Sequence, residues 1–403
     1  LELFGSLERE NDLIDLIVEQ KNAAVIHGIS SDAKKVTLFN CYSWVSYNFC
    51  APFLLTNYNC QFAVIGKYLI SLKDLVFNKI QILSPQLSKW LHPGAIENVI
   101  HFKNENKIKK ITYSVNTKND TNLKFETVLA GGYKLTILGG SNINSTDDLL
   151  SVNLEQQTYF EIEFINNKTD LFTLYNKAQL FAQFISLATL SPIIFSRILF
   201  FDVDDFQSIE NGEKYINSVE LFRIERNEDF SRLIKRHDLL FDFSRIQNIF
   251  KDVIHEWFDK DKVIAPIRKH LIDSISSKSY FSSLDFLIVI QALEGFHRRF
   301  VNKSRMDLSE RIEQLIDMNI EIDIISNCKI NLIDVVNSRH YYSHFFPKEA
   351  NVLPLDGRPL YILTKKLRVL LICCTLQIVG FDNETINDII KSSNNIIVSN
   401  INE

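Results

Sequence analysis

Hydrophobic positions along the chain follow two different periods. From Leu1 to about Ile165 they fall in short β-branched or aromatic runs, partly alternating with polar residues. These are Ala23–Ile29, Val36–Phe39, Phe62–Ile65, Ile108–Val115, Leu123–Leu129, Tyr133–Leu138 and Thr158–Ile165. Turn formers separate them at Thr117–Asn122, Gly131-Gly132 and Gly139–Asn144. This spacing predicts an antiparallel, sandwich-like or barrel-like sheet. Leu83–Gly94, with Pro85, Trp90 and Pro93, reads as a loop or short helix on that sheet. Asn167–Leu190 changes to helical period, with Thr169 or Asp170 as N-cap and Pro192 as its end. Ile193–Phe201 follows as an apolar strand, then an acidic turn at Asp202–Asp205. Glu210–Phe243 is charged and ambiguous, and reads as the end of a first domain and its linkage to a second.

From about Ser244 the period is 3.6 residues throughout. Helices are predicted at Ile246–Asp259, Val263–Ser276, Ser282–Phe300, Ser309–Asp317, Leu332–Phe345, Thr364–Val379 and Asn383–Ser392. Thr364 is the predicted N-cap of the sixth, and Gly380 its stop. Short loops between them imply an antiparallel bundle. The predicted class is therefore α+β multidomain, with a β-rich N-terminal sensor or regulatory domain over 1–243 and an all-α domain over 244–403.

Composition sharpens this picture only in places. A chain of 403 residues exceeds one ordinary core, and 46% apolar with 23% charged residues is normal for a folded, soluble protein. No run of 18 apolar residues occurs, and Ser186–Phe201 is interrupted by Pro192, Ser196 and Arg197, so no membrane span is expected. No secretory signal is visible in a chain that opens on Leu1. Cys41, Cys50, Cys60, Cys328, Cys373 and Cys374 form no CxxC pair; Cys373 and Cys374 read as small buried hydrophobes. A reducing, cytoplasmic setting is expected, with neither zinc site nor disulfide framework. A net charge of −5 gives no global footprint for nucleic acid, so any RNA surface must be local.

The candidate chemistry lies in Val336–Pro347, read as the last turns of a helix that Pro347 stops. Arg339 and His344 stand in an Arg-x4-His spacing, with His340 between them. Arginine is a permanent cation for phosphate, and imidazole gains or loses a proton near pH 7. That pair suits metal-free attack of a ribose 2′-OH on the adjacent phosphorus, with His344 as acid or base and Arg339 on the non-bridging oxygens. Five residues rotate an ideal helix by about 500°, leaving the two side chains about 140° apart. Either the helix distorts, or a C2 dimer brings two copies of the motif to one cleft. The plain alternative is a cationic C-terminal cap. Arg232 and His237 share the spacing and read as a solvated basic face.

His340 and His344 also have the i, i+4 spacing of a two-histidine metal site, but no third ligand is near and HExxH is absent, so no metal is expected. His340 orients substrate or Arg339, or packs. Gln291–Arg305 carries Glu294 and then Arg298, Arg299, Lys303 and Arg305 with no acid among 295–305. It is either an RNA-backbone surface or an ordinary solvated helix end. Tyr341 and Tyr342 offer stacking faces for bases, or belong to the core. Gly131-Gly132 and Gly139-Gly140 lack the context of a nucleotide loop, and Asp202, Asp204 and Asp205 read as an acidic turn rather than metal ligands.

At these residues the sequence resembles a known family. The helical part resembles the HEPN superfamily, whose nucleases carry an Arg-x4–6-His motif, and QALEGFHRRF with NSRHYYSHF resembles the ApeA-type HEPN domains. The LFGSL opening through the FEIEFINN strand and the helix after it is similar to the N-terminal domain that accompanies them. The resemblance implies an antiphage, abortive-infection endoribonuclease that is silent until infection; the chemistry read from Arg339 and His344 would need no cofactor and would leave 2′,3′-cyclic phosphate ends. Arg339 and His344 fall on its catalytic arginine and histidine, His340 on its polar second position, and Glu294 on an accessory acidic position. It also implies a composite site in a homodimer or larger homo-oligomer, an RNA substrate, and a phage-derived activator sensed by the N-terminal domain. Catalytically silent members serve as nucleotide-binding, RNA-binding or protein-interaction modules.

Overall fold

The computed structural model describes residues 3–4, 22–45, 56–71, 75–91, 96–104, 107–115, 124–145, 152–165, 167–208, 214–223, 235–276, 282–344 and 353–398. Its strands are β1 (Leu3–Phe4), β2 (Asn22–Ser30), β3 (Lys35–Val45), β4 (Thr56–Ile65), β5 (Val76–Phe77), β6 (Lys79–Leu83) and β7 (Ile96–Asn104). They continue as β8 (Lys107–Val115), β9 (Lys124–Leu129), β10 (Tyr133–Ser145), β11 (Val152–Phe164), β12 (Thr169–Asp170), β13 (Arg197–Ser208) and β14 (Lys214–Arg223). Ten form one sheet in the order β1-β2-β3-β4-β14-β13-β6-β11-β10-β9, while β7–β8 and β5–β12 form separate pairs. Every pairing is antiparallel. The β-rich first half and helical second half read from the sequence are the architecture of the protein.

Alternation sorts the two faces of the sheet. Ile80, Ile82, Phe160 and Ile162 are fully buried on one face. Glu161 on the other takes hydrogen bonds from Lys79 (3.1 Å) and Gln81 (2.9 Å). Helices α1 (Pro85–Trp90) and α2 (Leu171–Thr189) pack on the apolar face through Trp90, Leu174, Phe181 and Phe184. Asp170 caps α2, accepting from Thr173 N at 3.0 Å.

Several boundaries differ from the sequence expectation. Gly139–Asn144 lies inside β10, not in a turn; Gly131 and Gly132 do turn, with φ of 81° and 77°. Asp202–Asp205 belongs to β13, which starts at Arg197 and absorbs the acidic residues in a register shift between Phe201 and Phe206. The charged segment after Glu210 contains β14. Residues 117–122, Arg232 and Cys50 lie outside the described residues.

The second half comprises α3 (Phe243–Ile246), α4 (Phe250–Asp259), α5 (Asp261–Ser276), α6 (Ser283–Phe300) and α7 (Leu308–Met318). It ends with α8 (Asp323–Ser326), α9 (Leu332–His344), α10 (Gly357–Ile378) and α11 (Asn383–Ser392). Helix α10 begins seven residues before Thr364. Asp356 is its N-cap, and Thr364 is buried within it, bonding Leu360 O. Gly380, at φ 101°, follows its end. Cys373 and Cys374 are fully buried on α10, and burial pushes the Cys374 thiol up to about 12. Among the described residues Cys41, Cys60, Cys328, Cys373 and Cys374 are free thiols.

One apolar core runs from the sheet into the helices. Trp90 meets Phe243 and Phe250 at ring distances of 5.3 and 5.5 Å, and Phe125 of β9 meets Phe250 at 4.5 Å. Phe184 meets Trp257 at 5.5 Å, and the indole N–H of Trp257 donates to Leu180 O at 2.8 Å. Within the bundle, Arg368 of α10 forms a buried ion pair with Asp285 of α6. Ser274 of α5 joins both, accepting from Arg368 (2.7 Å) and donating to Asp285 (2.6 Å).

Candidate functional site

Helix α9 opens on Asn331, whose side chain accepts from Ile333 N at 3.1 Å. Its inward line is Val335, Ser338 and Tyr342, spaced to share one face. Ser338 Oγ accepts from Leu355 N at 3.0 Å. The Tyr342 hydroxyl donates to Leu355 O at 2.9 Å and lies 3.3 Å from Asp356 Oδ1, while its ring packs edge-on against Phe286. Burial, followed by the Asp356 carboxylate, pushes the Tyr342 phenol up to about 12.

The outward face carries the motif. Arg339 is half-buried, and His340 and His344 are exposed. Arg339 Nη1 lies 3.4 Å from His344 Nε2, and the His340 and His344 rings are 5.5 Å apart. The structure thus brings the three together at the end of one regular helix. The long arginine side chain spans the angular gap that the helix geometry opens. A cation and an imidazole side by side at an exposed helix end can grip a phosphate oxygen and exchange a proton with a neighbouring hydroxyl. Pro347, predicted to stop this helix, lies outside the described residues, as does Phe345.

The remaining candidates are placed elsewhere. Phe286 is the α6 residue that Tyr342 meets. Glu294, half-buried, lies eight residues or about 12 Å further along that helix, with Arg298 and Arg299 beyond it. Arg298, Arg299, Lys303 and Arg305 are exposed, and Arg299 donates to Val263 O at 2.5 Å. Behind them sits a buried arginine that sequence reasoning passed over. Arg311 donates to His297 Nδ1 (2.8 Å) and to the carbonyls of Asn302, Ser304 and Met306, fixing the loop that displays Lys303 and Arg305. Tyr341 is half-buried, edge-on to Tyr342. Asp202 and Asp204 hold Lys168 at 2.6 and 2.7 Å, and Asp205 accepts from Asn217. Arg236, beside His237, pairs with Asp242 at 2.8 Å. Among the described residues no three His, Cys, Asp or Glu side chains are grouped to hold a metal ion, and no helix is long and apolar enough to cross a membrane. Ser338 and Asp356, which the sequence reading did not single out, prove to border the motif.

Comparison with known proteins gives two family matches. The model of ApeA N-terminal domain 1 matches residues 1–257, and that of the Apea-like HEPN domain matches residues 287–385, which include Arg339, His340 and His344. No curated protein and no solved structure matches the chain.

Proposed function

Since the chain belongs to the ApeA family, with an ApeA N-terminal domain 1 followed by an Apea-like HEPN domain, we propose that it is a metal-independent endoribonuclease of an antiphage abortive-infection system. The observation that carries this reading is the approach of Arg339 Nη1 to His344 Nε2 at the exposed end of α9. His344 takes the proton of a ribose 2′-OH as that oxygen attacks the adjacent phosphorus. Arg339 holds the charge growing on the non-bridging oxygens. The P–O5′ bond breaks, and the leaving oxygen takes a proton from a second imidazole, leaving a 2′,3′-cyclic phosphate and a 5′-OH. In a homodimer that second imidazole is His344 of the other copy, with His340 orienting the arginine or the substrate. Tyr341 stacks on a base, and Arg298, Arg299, Lys303 and Arg305 meet the RNA backbone further out. Glu294 occupies an accessory acidic position. Residues 1–243 sense a phage-derived activator and control residues 244–403 in the cytoplasm.

The test is incubation of the purified full chain, with EDTA, against total bacterial RNA, with and without lysate from phage-infected cells. His344→Ala runs in parallel. Cleavage that survives EDTA, leaves cyclic-phosphate ends and vanishes in the variant is the expected result. Intact RNA under both conditions, with folded and dimeric protein, would move the assignment to a silent HEPN binding module.

A further inference from the structure

Helix α9 lacks the apolar stripe that usually holds a helix to a bundle. Of its 13 residues only Val335 and Ser338 are buried, and Ile333 is 69% exposed. Arg339 and His344 meet on the outward side of this helix, in its last described turns, so their contact depends on how firmly the helix is held.

Polar groups supply what apolar packing does not. Ser338 and Tyr342 both bind the segment leading into α10, the first by accepting from Leu355 N and the second by donating to Leu355 O beside Asp356. Asp356 in turn accepts from Gly357 N and caps α10. That helix has 14 of its 22 residues buried, so the turn is tied to a rigid support. Ser338 directly precedes Arg339, and Tyr342 stands two residues before His344. One anchor thus stands directly before Arg339, and the other lies between Arg339 and His344.

We infer that Ser338 and Tyr342 are positioning residues, whose clasp on Leu355 and Asp356 keeps Arg339 and His344 within reach of one phosphate. Neither touches the RNA. Their effect is on the placement of His344, where a shift of about 1 Å is enough to cost a large factor in rate. The inference rests on the nuclease reading for its kinetic consequence, while its structural consequence stands apart from it.

The experiment compares the full-length wild type with Tyr342→Phe and Ser338→Ala. Tyr342→Phe keeps the ring on Phe286 and deletes only the hydroxyl. Initial rates on total bacterial RNA are measured across RNA concentration, and the His344 ring signals are followed by NMR of ¹⁵N-histidine-labelled protein, assigned with His344→Ala. Each variant is expected to lose about tenfold in maximal rate with KM within about twofold, and to shift the His344 signals. A folded Tyr342→Phe protein with unchanged rate and unchanged His344 signals overturns the inference. A raised KM with unmoved signals also overturns it, by assigning these side chains to substrate binding. Intact RNA with wild type under activating lysate removes the nuclease reading instead, and the His344 signals then still decide the clasp.

Discussion

Helices α9 and α10 follow one another along the chain and are held by opposite means. Helix α10 is embedded, with Leu367, Leu370, Leu371, Ile372 and both of its cysteines fully buried, and even its charged Arg368 paired inside the bundle. Helix α9 buries little and hangs from hydrogen bonds at Ser338 and Tyr342. The embedded helix gives most of its surface to the core, and the hung helix has little packing to keep it in place. Joining them through Leu355 and Asp356 gives an exposed motif the rigidity of a core element.

The largest expected break in this contrast is functional. His344→Ala should lower the RNA cleavage rate by about 10²–10⁴-fold while moving unfolding free energy by no more than about 0.5 kcal/mol, read from urea denaturation beside the cleavage assay. The opposite profile is expected for Asp285→Ala, which leaves the Arg368 guanidinium buried without its carboxylate. Destabilisation of about 3–5 kcal/mol should appear in the same denaturation series. Asp356→Ala belongs to both helices. Losing the cap of α10 should cost about 1 kcal/mol, and losing the carboxylate beside Tyr342 should loosen the His344 turn, visible as faster amide exchange at its end.

Titration separates the two ends of the pH scale. The Tyr342 phenol is raised to about 12, so its contribution is complete below the unfolded value near 10 and is lost as pH climbs through the folded one. A difference phenol titration of wild type against Tyr342→Phe should show one tyrosine ionising late. The caps Asp170 on α2 and Asp382 on α11 behave the other way. Thr173 and Thr385, donating through hydroxyl and backbone N–H, hold these carboxylates below the usual range. Their contribution is complete above about pH 4 and fades as pH falls through the lowered values. Melting temperature should therefore decline below about pH 4, and Asp170→Asn or Asp382→Asn should flatten that decline.

Much of this was legible in the sequence, for identifiable reasons. The strands from Ala23–Ile29 to Thr158–Ile165 and the helices from Ser282–Phe300 to Asn383–Ser392 announce themselves by period; all occur, most with shifted ends and Asn383–Ser392 with the ends expected. The expected start of helix α10 at Thr364 falls seven residues inside the helix, whose first turn holds Gly357 and Pro359. Proline is tolerated in a first turn, where its missing N–H has no helical partner to lose, and Gly357 adopts φ 54° beside the Asp356 cap. Strand β14 hid in a charged segment, although Val219 and Leu221 alternate with Ser218 and Glu220. The Arg339 and His344 pair was visible as spacing, but their contact was not, since ideal rotation separates them and only side-chain length closes the gap. The clasp left little signature. Its two shortest bonds go to backbone groups of Leu355, and backbone groups are the same at every position.

The aromatic seam joining Trp90, Phe125 and Phe184 to Phe243, Phe250 and Trp257 also bears on how such a protein can be rebuilt. A cut at residue 243 would leave rings on both fragments facing solvent, together with the Trp257 indole stripped of its Leu180 acceptor. The two halves are therefore not interchangeable cassettes. Grafting a foreign sheet onto this bundle would require recutting the seam ring by ring, whereas altering the outer strands and loops leaves it intact. Surface changes are made most readily on the outside of the existing sheet, with the same interlocked halves carried along.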